Sequence, residues 1–153
     1  MTTIMPSYPQ DFPYYQEIEV RYADLDTLQH VNNVTIMQYV ENARIGYYQA
    51  TGIWDGKIRQ GFGMVVASVK IDFVTSIMFG DPVRVGVKTG RIGGKSITFL
   101  FQVENSQNGQ VFARGEVVMV SFSQEKQKSV PVSQEWREKL ASFDNNQELL
   151  AKR

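Results

Sequence analysis

The run Asn33-Val34-Thr35-Ile36-Met37-Gln38-Tyr39-Val40-Glu41-Asn42-Ala43-Arg44-Ile45-Gly46-Tyr47-Tyr48-Gln49-Ala50-Thr51-Gly52 decides the fold. Within it Ile36, Met37, Val40, Ala43, Tyr47 and Tyr48 recur at three- and four-residue steps, which draws one apolar stripe along a helix. Asn32 or Asn33 supplies an N-cap, and Gly52 stands where a C-cap is expected. A helix of about 19 residues is ~28 Å long at 1.5 Å per residue. Gly46 lowers helix propensity inside it, and is either simply tolerated or a point of close backbone approach.

Outward from that helix the pattern becomes strand-like. Downstream, Phe62 to Ser76, Val83 to Ile92, Ser96 to Asn105 and Gln110 to Phe122 are rich in Val, Ile, Phe and Thr. Turn chemistry separates them at Gly80-Asp81-Pro82, Gly93-Gly94 and Asn108-Gly109. Connections this short make antiparallel neighbours. Upstream, Tyr14 to Tyr22 alternates, with Ile18, Val20 and Tyr22 on one face and Glu17, Glu19 and Arg21 on the other, as in a half-buried strand. Ala23 to Asn32 is polar and reads as loop. Residues 1–13, with three prolines, read as an irregular arm. Ser133 to Leu150 returns to helical spacing through Trp136, Leu140, Phe143 and Leu149, with Ser133 as N-cap. One strand, one long helix, four strands and a terminal helix define an α+β arrangement. Two topologies suit that order: the hotdog, an antiparallel five-stranded sheet wrapped around a central helix, and the cone-shaped α+β barrel. Cone-shaped barrels usually open with helices, so the hotdog is expected.

Composition narrows the function. A chain of 153 residues fits one domain, here 1–153. Sixteen basic and sixteen acidic residues cancel, whereas a nucleic-acid binder usually carries a basic excess. No stretch approaches the ~20 apolar residues of a membrane-spanning helix. Met1 to Tyr15 has no basic segment leading into an apolar one, so a cytoplasmic location is expected, and Asn33-Val34-Thr35 is read as a chance glycosylation triplet. Absent cysteines remove disulfides, thiolate metal sites and a cysteine nucleophile, and a single histidine argues against catalytic zinc. Gly90-Arg91-Ile92-Gly93-Gly94-Lys95-Ser96 is one residue short of a phosphate-binding loop and leads into a strand instead of a helix. No Gly-x-Ser-x-Gly elbow and no cofactor fingerprint is present.

The densest chemistry is Asp24, Asp26, His30, Asn32 and Asn33, in a loop leading into a helix start. That start offers unpartnered amides and the positive end of the helix dipole, where a developing oxyanion is stabilised. Each residue also has a plainer role: the aspartates as turn-formers, His30 as a structural hydrogen-bonder, the asparagines as caps. Glu41 and Arg44 are spaced for a weak ion pair on the helix surface.

The segment Arg21-Tyr22-Ala23-Asp24-Leu25-Asp26-Thr27-Leu28-Gln29-His30-Val31-Asn32-Asn33, followed by Tyr39, Glu41, Ala43 and Arg44, closely resembles the signature of the 4-hydroxybenzoyl-CoA thioesterase-like hotdog family. Phe73, Gly80-Asp81 and the stretch at 93–96 extend the likeness along most of the chain. The resemblance implies an acyl-CoA thioester hydrolase without a cofactor. Asp26 falls at the family's catalytic aspartate, nucleophile or general base; Asn33 at the helix start whose amide polarises the carbonyl; His30 at a position near the thioester. Asn32, Tyr39, Glu41, Lys95 and Ser96 become candidate substrate-binding residues, with Tyr47 and Tyr48 as further possible lining. Gln29 departs from the glycine common before that histidine, so a different loop backbone is expected. The resemblance also implies a homodimer or homotetramer whose sheets join, with Phe62 to Ser76 as the joining edge and the active site between subunits. Two rival readings remain: a non-catalytic acyl-CoA or acyl-carrier binder, and a hotdog hydratase or dehydratase.

Overall fold

The computed structural model describes residues 11–57 and 63–151; most of the expected N-terminal arm, Gly61 and Phe62 lie outside the described residues. The long helix, α1 (Asn33–Thr51), has the bounds its sequence foretells. The Val34 amide donates to Asn32 Oδ1 at 2.8 Å, and Gly52 closes the helix with φ 88°, a left-handed turn that costs glycine nothing.

The strands are β1 (Tyr14–Ile18), β2 (Met64–Phe73), β3 (Val83–Ile92), β4 (Ser96–Asn105), β5 (Val111–Ser123) and the two-residue β6 (Lys128–Ser129). The main sheet runs β1-β3-β4-β5-β2, antiparallel throughout, and β6 adds to β5 as a sixth, unforeseen strand. This is the expected hotdog, five principal strands curled around α1. Ile36, Tyr39, Val40, Ala43, Tyr47 and Tyr48 meet Val83, Val85, Val87, Phe99, Phe101, Val103, Val117 and Met119 in one core. Burying each of the larger side chains contributes roughly 1.5–3 kcal/mol. Gly46 makes room for side chains, not for another backbone: a Cβ there would collide with Tyr14 Oη, beside Gln16 Oε1.

Three expectations need correction. The first strand stops at Ile18, and Tyr22 is 72% exposed instead of inward-facing. The cause is local: Arg21 binds the Asp24 carboxylate through both its amide and its guanidinium, which closes a 3₁₀ turn at Tyr22–Asp24 and draws the chain off the sheet. The terminal helix, α2 (Gln134–Phe143), begins at the Ser133 cap as expected but ends seven residues early. Asp144 and Asn145 break it, the latter at φ 51°, before a 3₁₀ turn at Gln147–Leu150. Arg44 turns inward, so there is no surface pair with Glu41; its Nη1 donates to Tyr48 Oη at 3.2 Å and Met119 Sδ at 3.3 Å.

The edge strand β2 is the unusual feature. Val65, Val66, Val69, Phe73 and neighbouring Val74 are each 42–50% exposed. Val66, Val69, Ile71 and Phe73 oppose Met119, Val117, Gly115 and Ala113 of β5, so they share the concave, core-facing side of the sheet. A register shift between Val66 and Ser68 keeps the apolar positions on that side. Among the described residues, no helix is long and apolar enough to cross a membrane.

Candidate active site

Two aspartates two residues apart occupy opposite environments. Asp24 is 2% exposed. Its Oδ2 accepts from the Tyr39 hydroxyl at 2.5 Å and the Arg21 amide at 2.9 Å, and its Oδ1 accepts from the Arg21 guanidinium at 2.9 Å. Burial pushes this carboxyl up, but the Tyr39 hydroxyl, then the Arg21 amide and guanidinium, outweigh it and hold the group below 3.8. Burial and the facing carboxylate drive Tyr39 well above its ordinary value, so it stays a neutral donor. Asp24 is therefore an ionised anchor that ties the loop to α1.

Asp26 is only half-buried. Its Oδ1 accepts from the Leu28 amide at 2.9 Å, an Asx turn, and its own amide donates to the His30 carbonyl at 2.8 Å. The loop is a narrow closed ribbon: Leu25 faces Val31, the Asn32 amide donates to the Asp24 carbonyl at 2.9 Å, and α1 starts at once. His30 and Val31 pair in turn with Met78 and Ile77, which fastens the ribbon to the chain following β2. Gln29 sits at φ 67°. That is the left-handed region, which a glycine enters without steric cost and a glutamine does not.

Beside this ribbon the amino end of α1 borders an open cleft of about 120 Å³, lined by Asn33, Ile36 and the stretch from Phe73 to Ser76. Helix geometry leaves the first amides without intrahelical acceptors, and the Asn32 side chain takes up that of Val34. Asn32, Asn33 and Glu41 are exposed, whereas Tyr39 is buried with its hydroxyl on Asp24. Lys95 and Ser96 do not join this group within one protomer. Ser96 opposes Val120, near the Met64 end of β2, while the cleft lies at the Phe73 end. Among the described residues, no cluster of three or more His, Asp or Glu is placed to hold a metal ion.

Sequence reasoning passed over three features. Asp24 and Tyr39 lie fifteen residues apart, with no local signal joining them. Residues Phe73 to Ser76 read only as the end of a strand, not as a cleft wall. Asp144, which breaks α2, accepts from the Tyr47 hydroxyl and from the Thr89 amide at 2.8 Å, and burial pushes its carboxyl up.

A curled antiparallel sheet on a single buried helix, with an acidic loop at that helix's amino end, defines a hotdog-fold protein. Residues 20–140 match the thioesterase-like superfamily, and the chain belongs to it. It is 33% identical over 129 residues to the uncharacterized protein YsmA of Bacillus subtilis (strain 168), covering 84% of this chain and 86% of that one. It is 26% identical over 124 residues to the long-chain acyl-CoA thioesterase FadM of Escherichia coli (strain K12), covering 81% and 94%. A thioesterase from Thermus thermophilus, solved with coenzyme A and zinc, superposes with a TM-score of 0.77 at 32% identity, covering 88% of this chain and 96% of the other.

Proposed function

We propose that the protein hydrolyses an acyl-CoA thioester to the free acid and coenzyme A, with Asp26 as the reacting carboxylate. The supporting observation is the closed ribbon that holds Asp26 in the loop leading directly into α1, whose first turn, at Asn33 and Ile36, borders an open cleft. Either Asp26 attacks the carbonyl, expelling the thiolate and leaving an anhydride for water to resolve, or it takes a proton from the attacking water. In both routes the C–S bond breaks, the water's hydroxyl ends on the acyl carbon, and the water's proton ends on the departing thiolate, leaving Asp26 ionised again. Amides at Asn33 and its neighbours stabilise the oxyanion, and His30 orients the carbonyl or the carboxylate. Asn32 shapes the helix start, Tyr39 holds the loop through Asp24, and Glu41 lies farther along α1.

The working unit is a homodimer joined along β2. Left bare, a ten-residue edge strand with Val66, Val69, Ile71 and Phe73 on one side is a template for pairing with another chain, and pairing shields the exposed Val and Phe side chains from water. Two such dimers can associate further into a tetramer.

Purified protein with a panel of acyl-CoAs and a free-thiol reagent tests the activity. Thiol release that Asp26→Asn abolishes is the expected result. Tight binding of acyl-CoA with no turnover would indicate a sequestering protein instead.

A further inference from the structure

Arg44 is a cation placed inside the core without a counter-charge. It is 7% exposed, yet among the described residues no carboxylate pairs with it. Nη1 donates to a neutral hydroxyl, that of Tyr48, and to the Met119 thioether, a weak acceptor. Nε is buried with no partner at all. Taking a guanidinium out of water costs more than such contacts return, and an apolar side chain of similar volume would pack there at less cost. Packing alone does not account for it.

The surroundings of Arg44 indicate what could supply the missing charge. α1 packs chiefly against β3 and β1, and so leaves the concave side of β2, at the other edge of the sheet, largely uncovered. Val66, Val69 and Phe73 are 42–50% exposed along that trough. One end is the cleft at Asn33, Ile36 and Phe73. At the other end Arg44 reaches Met119, which stands directly opposite Val66. The charged residues of β2 and β5, Lys70, Asp72, Arg114 and Glu116, occupy the alternate positions and face the other side of the sheet. Along β2 the trough is therefore apolar from the cleft to the guanidinium.

Its length can be measured in two ways. Arg44 follows Asn33 by eleven residues of α1, roughly 16 Å at ~1.5 Å per residue. Val66 and Phe73 are seven residues apart on β2, roughly 23 Å at ~3.3 Å per residue. An extended hydrocarbon with ~1.5 Å bonds advances roughly 1.3 Å per carbon, so ~8–14 carbons fill the trough once both polar ends have made their bonds.

We propose that Arg44 binds the distal carboxylate of an ω-carboxyacyl thioester, the monothioester of a medium-chain dicarboxylic acid, whose carbonyl lies at the start of α1. This rests on the thioesterase reading and names its substrate class. The methylenes lie on Val69, Ile71 and Phe73, and the carboxylate gives the guanidinium charge-assisted bonds, including the acceptor that Nε lacks. A plain acyl chain would set a methyl group against the cation and leave it unpaired.

The test uses the full chain with dodecanedioyl-CoA and dodecanoyl-CoA, which differ only at the end of the acyl chain. The diacid thioester is expected to be favoured in kcat/KM by at least about tenfold. Arg44→Met is expected to erase that preference, chiefly by raising KM for the diacid thioester. Glutaryl-CoA, too short to reach the guanidinium, is expected to gain nothing over pentanoyl-CoA. Equal turnover of the two long thioesters by the parent overturns the proposal, and this comparison stands even if Arg44→Met does not fold. A preference that survives Arg44→Met, or a glutaryl advantage that Arg44→Met removes, overturns it as well. Free dodecanedioate and dodecanoate, titrated calorimetrically, read the site without turnover. Tighter binding of the diacid that depends on Arg44, in a protein hydrolysing neither thioester, would keep the carboxylate site and defeat the thioesterase reading.

Discussion

The contrast between Asp24 and Asp26 shows what the sequence withheld at the scale of single residues. Both are loop aspartates beside the same turn, and only the fold, by bringing Tyr39 across fifteen positions, makes one an anchor and leaves the other half-exposed. Because the folded value of Asp24 lies below 3.8, its bonds stabilise the protein above the ordinary carboxylate value. That contribution is lost as pH falls through the lower folded value. Tyr39→Phe removes a charge-assisted bond, so a loss of about 2 kcal/mol near neutral pH is expected, with a weaker acid dependence of the urea midpoint. A Tyr39→Phe profile parallel to the parent's would show that the hydroxyl does not hold Asp24 ionised. Gln29 makes a second case, since the resemblance marked the position but not the backbone it adopts. At φ 67° a glycine relieves strain, and Gln29→Gly is expected to stabilise the fold by about 0.5–1 kcal/mol in denaturant unfolding.

Elements were legible wherever caps and periodicity agreed. The capping asparagine and terminal glycine bound α1 on both sides, and β3 and β4 begin and end where their apolar runs do. The misread ends share one cause: a carboxylate bound by other groups, close in sequence at Asp24 and far away at Asp144. Arg21 and Asp24 curl the chain after β1, and Asp144 ends α2 by reaching Tyr47 and Thr89 in the core. Alternation and helical spacing carry no record of such bonds. Gly46 gives an element-scale test. Alanine normally strengthens a helix by roughly 1 kcal/mol over glycine. Here its methyl would collide with Tyr14 Oη and stand 2.7 Å from Gln16 Oε1, which forces the hydrogen-bonded Tyr14 and Gln16 side chains to repack between α1 and β1. Overpacking of that kind costs about 1–3 kcal/mol, so Gly46→Ala should lower the thermal midpoint. A raised midpoint would show that β1 gives way freely.

For the whole molecule, the exposed apolar face of β2 matters most, and its Val-rich run is the edge along which a partner is expected. The cleft was not legible, because its two walls, the start of α1 and residues Phe73 to Ser76, lie about forty positions apart. Val69→Lys places a charge on the concave face of β2, and sedimentation should show a monomer that keeps its far-UV spectrum but loses thioesterase turnover. A dimer surviving that change would rule out β2 as the seam.

The most direct measurement is the initial rate of coenzyme A thiol release by Asp26→Asn beside the parent. The amide keeps an oxygen for the Leu28 N–H, so the loop should hold its shape. If Asp26 does the chemistry, kcat falls by at least about a hundredfold with the unfolding midpoint unchanged. A variant that turns over acyl-CoA within about threefold of the parent contradicts the assignment.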